Sequence, residues 1–284
     1  MSITYDTKVA SKVALDPVEK ARSQTARVAN VRALLTSVFG IVVFFGGWQL
    51  VATSGKVDPV MLTPPVEVLR SAAELAKTGE LWGHVQASVI RIVAGYAIGT
   101  SLGIAAGVLL GRSKFLEALV GPILQMARAI PPLALVPLIV FWFGISEGAK
   151  LALVGWATFF PVWINTLLGV KGANPLYVRA GRSLGARRVT LLLKVMLPAA
   201  LSSIFSGMRV ALSIAFTVLV AAELAGALAG LGYLIQMSAL SFRIDHIFVG
   251  ILSLALLGFL ADFIFMRSLY WLFPWYKAEQ LQKS

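Results

Sequence analysis

Lys171–Ala200 reads KGANPLYVRAGRSLGARRVTLLLKVMLPAA, a polar interruption about thirty residues long in a chain that is otherwise mostly apolar. Its cations are Lys171, Arg179, Arg182, Arg187, Arg188 and Lys194, and it contains no Asp or Glu. Pro175 and Pro198 punctuate its ends, and Gly185 stands where a helix would break and restart. A hydrophobic stripe persists through Leu184, Val189, Leu192, Leu193, Val195 and Met196, which predicts short amphipathic helices rather than an irregular loop. By composition alone the segment reads as a positively charged loop that sets topology.

The 284 residues around it are 58% hydrophobic and only 13% charged, with a mean hydropathy of +0.83. A soluble domain carries about 25% charged residues, so the composition is that of an all-α integral membrane protein. The length leaves room for one helical bundle and no large soluble domain. There is no cysteine, which excludes disulfides and thiolate metal sites. A net charge of +12 fits basic loops facing anionic lipid and partners better than nucleic acid.

Six spans are predicted, over about residues 34–53, 87–110, 116–143, 151–170, 201–222 and 247–269. Residues 1–32 form a polar tail in which Asp16-Pro17-Val18-Glu19 starts a short surface helix. The tail is too long and polar for a cleaved secretory signal, so the first apolar segment is expected to remain as an anchor. The second span places Gly95, Gly99, Gly103, Gly107 and Gly111 at every fourth residue, a face for close helix packing within the chain or, less favoured, between copies. Arg91, near the other end of that span, is expected to snorkel to the interface. Pro131-Pro132 interrupts the third span. Trp156, Phe159, Phe160 and Trp163 in the fourth suit packing or interface anchoring as well as a pathway.

Lys and Arg concentrate in the two tails, the Arg112–Lys114 turn and the Lys171–Ala200 segment. The opposite loops hold only Lys56, Arg70, Lys77, Lys150 and Arg243. The positive-inside rule therefore puts both termini in the cytoplasm. The main domain then covers residues 33–276, with a cytoplasmic loop at 171–198 and a short tail at 277–284.

The opening segment resembles the cytoplasmic signature of binding-protein-dependent ABC importer permeases: Glu-Ala-Ala, three residues, Gly, nine residues, Ile, one residue, Leu-Pro. Here Arg179-Ala180-Gly181, Gly185, Val195 and Leu197-Pro198 occupy those positions. Arg replaces the leading Glu and Gly the second Ala. RSLGA followed by LPAAL is similar to the nitrate, taurine and aliphatic-sulfonate branch. MLTPPVEVL, RAIPPLALVPLIVFWFGISE and VAAELAGALAGLGYLIQ extend the resemblance over roughly residues 34–276.

The resemblance implies a type I ABC importer permease fold in the bacterial inner membrane. It also implies a second copy of the permease, two cytoplasmic ATPase subunits and a periplasmic or lipid-anchored substrate-binding protein. ATP and Mg bind the partner ATPase, because this chain has no Gly-x4-Gly-Lys-Ser/Thr loop; no cofactor, metal or catalytic residue is expected here. The ATPase-coupling residues implied are Asn174, Pro175, Tyr177, Val178, Arg179, Ala180, Gly181, Arg182, Ser183, Leu184, Gly185 and Ala186. Translocation-pathway candidates are Arg128, Pro131, Pro132, Arg209 and Glu223. Arg128 and Arg209 lie deep in spans, where an arginine costs about 2.5–3.5 kcal/mol, so each needs a partner or a watery cavity. Asp262 is the expected ion-pair partner of Arg209. Permeases of this kind carry taurine, alkyl sulfonates, nitrate, bicarbonate, aromatic carboxylates or vitamin precursors, and deep arginines favour an anion. A secondary transporter fits less well, because no clear repeat is visible and Asp262 is the only carboxylate well inside a span. An intramembrane enzyme fits least, since His84 and His246 lie apart near span ends.

Overall fold

The computed structural model describes residues 17–55 and 61–276. Residues 1–16 and the basic tail predicted at 277–284 lie outside the described residues, as do residues 56–60. The chain divides into two units, residues 1–66 and 67–284. The first contains α1, an unbroken helix over Pro17–Thr53. The surface helix and the first span, expected as separate elements, are thus one helix. No Gly or Pro occurs between Val18 and Phe39 to interrupt it.

After α1 the described residues form ten further α-helices, all but the first two residues of α2 in the second unit: α2 (Pro65–Lys77), α3 (Glu80–Arg112), α4 (Lys114–Arg128), α5 (Val136–Phe143), α6 (Glu147–Lys171), α7 (Pro175–Ser183), α8 (Arg188–Leu191), α9 (Leu197–Leu224), α10 (Leu231–Leu240) and α11 (Ile244–Leu272). Among the described residues four stretches are long and apolar enough to cross a membrane: α3, α6, Arg188–Leu224 and α11. The pair formed by α4 and Pro132–Phe143 counts as a fifth if taken as one broken span, for it bends by 87°. Pro131 and Pro132 donate no backbone N–H, so the ladder of α4 cannot pass through them. The chain restarts as one 3-10 turn, Pro132–Leu135.

Helix α6 is the spine. Val154, Val162, Trp163 and Val170 are wholly buried along it. It lies against the glycine face of α3: Gly95 meets Val154, Gly99 meets Gly155 and Thr158, Gly103 meets Val162, Gly107 meets Thr166 and Gly111 meets Val170. A methyl group at Gly99 would overlap both the Thr158 hydroxyl and the Gly155 carbonyl. Backbones this close gain dispersion contacts, the main helix–helix attraction where the solvent is itself apolar. On its other side α6 packs on α9, with Gly169 against Ala200 and Gly207 against Asn165.

Pro198, at the end of the polar segment, sits in the first turn of α9. Leu192–Met196, just before it, is a π-helical turn. That wider turn gives the proline ring room that an α-helical carbonyl four residues earlier would deny it. Helix α8 therefore leads into α9 without a break. The stretch after α9, read from the sequence as an outer segment, contains the short apolar helix α10.

Candidate functional site

Opposite ends of the α3–α6 pair carry two different constellations. At the end reached by Lys171, Asn174 caps α7 by accepting from the Leu176 N–H at 2.9 Å, and Pro175 occupies the first turn. The helix closes at Gly185, whose φ of +77° is left-handed. Gly185 donates to the Arg182 carbonyl, and Ala186 to that of Gly181, a closure that satisfies the last carbonyls. Gly181 faces Leu191 of α8 so closely that a side chain would collide, and Val178 is half-buried on the same face. The other face presents Leu176, Tyr177 and Leu184, the last 88% exposed, with Arg179, Ala180 and Ser183 exposed beside them. The result is a short, capped, two-faced helix whose outward side is apolar at its ends and basic in between.

The far end is held by ions. Arg91, 5% exposed, donates through Nε and Nη2 to both oxygens of Glu147 at 2.6 and 2.8 Å. Its Nη1 donates to Glu223 at 2.8 Å and to the Ala229 carbonyl. Glu223, 1% exposed, also accepts from the Ser88 hydroxyl at 2.8 Å and the Gly232 N–H at 2.8 Å. Ser88 in turn accepts from the Leu231 N–H at 2.9 Å, and His84 Nδ1 from the Gly230 N–H at 3.1 Å. Lys150 completes the group on Glu147 at 2.9 Å. The Glu223 carboxylate occupies the place of the side chain that Gly230 lacks. Two cations and two anions from α3, α6 and α9 thus fix the turn into α10. Arg91, Lys150 and Glu223 are buried while the Glu147 side chain stays 61% exposed, and buried charges persist only when paired and hydrogen-bonded in this way.

Arg91 was expected to snorkel and instead anchors the cluster. Its signal was present: His84, Ser88 and Arg91 fall on one helical face, in line with the glycines that follow. Glu223, a pathway candidate, is enclosed in this conformation. Arg209 donates to both oxygens of Asp262 at 2.7 and 2.8 Å. Their side chains remain 52% and 37% exposed on the surface of the single chain. Arg128, the last residue of α4, is exposed beside the Pro131-Pro132 bend and has no ion pair among the described residues. The described residues include no group of His, Cys, Asp and Glu able to hold a metal.

Residues 99–277 match the family model described as binding-protein-dependent transport system inner membrane component. The putative aliphatic sulfonates transport permease protein SsuC of Bacillus subtilis is 39% identical over 215 residues, 76% of this chain and 78% of that protein. The taurine transport system permease protein TauC of Escherichia coli is 35% identical over 254 residues, covering 88% and 92%. Among solved structures, the crystal structure of an amino acid ABC transporter with histidines superposes with a TM-score of 0.56 at 17% identity, covering 70% of this chain and 95% of that one.

Proposed function

Because the chain belongs to the family of binding-protein-dependent transport system inner membrane components, we propose that two copies of it form the pathway of an importer for a small sulfonate such as taurine. It is a multi-pass inner-membrane protein with the type I permease fold, and its family works with ATPase and substrate-binding partners. In this reading two cytoplasmic ATPase subunits bind the ATP and Mg, this chain hydrolyses nothing, and an external binding protein delivers the solute. The observation that carries it is sequence identity to sulfonate and taurine permeases over most of the chain.

The geometry supports a division of labour. The segment from Leu34 to Thr53 supplies the first of six spans, and both termini and α7 face the cytoplasm. The outward face of α7, from Asn174 to Ala186, docks on the ATPase and transmits its closure as a short rigid lever. The Pro131-Pro132 bend and α9 form the moving wall of the pathway. Glu223 anchors its outer end. Arg128, which has no ion pair among the described residues, lowers the barrier for an anion at a depth where a lone charge is costly, whereas the charge of Arg209 is met by Asp262.

The test is uptake of radiolabelled taurine and ethanesulfonate into sealed vesicles holding this chain and the ATPase, with binding protein outside. Uptake that needs internal ATP and the binding protein, without an ion gradient, is expected. Uptake that follows an imposed ion gradient and ignores ATP would overturn the reading. ATP-driven uptake of nitrate or a carboxylate in preference to either sulfonate would overturn the cargo alone.

A further inference from the structure

Behind α7, on the face turned away from its exposed apolar residues, three arginines from three elements line one cavity. Arg112 ends α3, Arg182 lies on α7 and Arg188 begins α8; Ser113, between α3 and α4, lines it with them. Among the described residues no Asp or Glu borders the cavity. None of the three guanidinium groups makes an ion pair among the described residues. The nearby carboxylate of Glu117 is taken by Lys171. Like charges gathered on one cavity repel one another, and an anion between them turns that repulsion into attraction.

The cavity has more than charge. Ser113 accepts from the Leu116 N–H, and its hydroxyl has no acceptor among the described residues, which leaves its proton available to a ligand. It also caps the positive end of the fifteen-residue helix α4. Leu109, Leu116, Leu191 and Met196 supply an apolar wall. The site stands where α3 ends and the apolar run Arg188–Leu224 begins, which is headgroup depth for both. A free phosphate has no use for the apolar wall, whereas a lipid presents phosphate and acyl chain together. We infer that this cavity binds the phosphate of an anionic phospholipid, with the acyl chain along the apolar wall. Basic pockets between spans at the cytoplasmic surface suit such headgroups. The bound lipid braces the inner face of α7 against α3 and α8. The orientation proposed above names only the leaflet; binding itself does not depend on it, nor on ATPase docking.

The test is native mass spectrometry of the full chain in neutral detergent, offered phosphatidylglycerol and phosphatidylcholine of identical acyl composition. Wild type is expected to retain phosphatidylglycerol preferentially. Each of Arg112→Gln, Arg182→Gln and Arg188→Gln should lower that preference about fivefold, and the triple variant should abolish it. The corresponding triple Lys variant keeps the charge and should retain most of the preference, separating loss of the site from loss of the fold. Arg179→Gln, outside the cavity, should leave it unchanged. An undiminished preference in the triple Gln variant overturns the inference, and so does an equal loss in Arg179→Gln, which would mean diffuse surface attraction. Displacement of the lipid by equimolar inorganic phosphate would overturn it in favour of a free-anion site.

Discussion

Arg91 shows how one side chain holds a corner of the bundle. Replacing it with Gln leaves Glu223 charged and enclosed without its cation, and breaking such a buried pair costs about 3–5 kcal/mol. Arg91→Gln is therefore expected to accumulate poorly, or to unfold well below wild type when thermal denaturation is followed in detergent. An unchanged unfolding temperature would mean that the cluster contributes nothing net. Gly99 tests packing rather than charge. A Gly99→Val side chain would have to displace the Gly155 backbone and Thr158, and overpacking of this kind costs about 1–3 kcal/mol. Gly83, in the same helix but with nothing near its missing side chain, should accept Ala with no loss. Equal behaviour of Gly99→Val and Gly83→Ala would remove the close-contact account of the α3–α6 seam.

At the scale of elements, α7 is held by a cap, a proline and a left-handed glycine, all of them local devices. Gly185 has open space around it, so a substitution there acts through backbone conformation alone. Gly185→Val forces a β-branched residue into a region that costs an ordinary residue about 1–2 kcal/mol. It should leave membrane insertion intact and reduce recovery of the ATPase with the purified permease. Gly185→Asn, which tolerates that region, should retain it. Normal recovery and normal uptake by the Val variant would remove α7 from the coupling role. The adjoining π turn and Pro198 make the junction to α9 continuous, so motion of α7 and α8 has a direct mechanical route into a spanning helix.

For the whole molecule, the orientation is the property most open to direct test, because the chain has no cysteine of its own. Leu184 and Leu228 are each 88% exposed and stand at opposite ends of the bundle. In intact cells an impermeant maleimide should label Leu228→Cys at once and Leu184→Cys only after permeabilisation. The reverse pattern would invert the topology, moving α7 away from any cytoplasmic partner. The exposed ion pair of Arg209 and Asp262 also belongs to this scale. Hydrocarbon does not solvate such a pair well, so that face suits a protein partner or a watery passage, in keeping with a paired pathway.

The sequence by itself determined the membrane class, the break at Pro131-Pro132 and the place of the polar segment with its Gly185 turn. These follow from composition and from backbone chemistry that acts within a few residues. Polar residues on one face of α3 were also visible, though not what they would meet. Only the tertiary structure decided that Arg91 meets Glu147 and Glu223, that α6 fills the glycine face, and that three arginines share one cavity. In a bilayer most apolar faces are equally acceptable to lipid, so hydrophobic periodicity does not say which helix turns toward which. Pairings across more than a hundred residues, such as Arg91 with Glu223, are chosen by shape and charge once the helices are side by side.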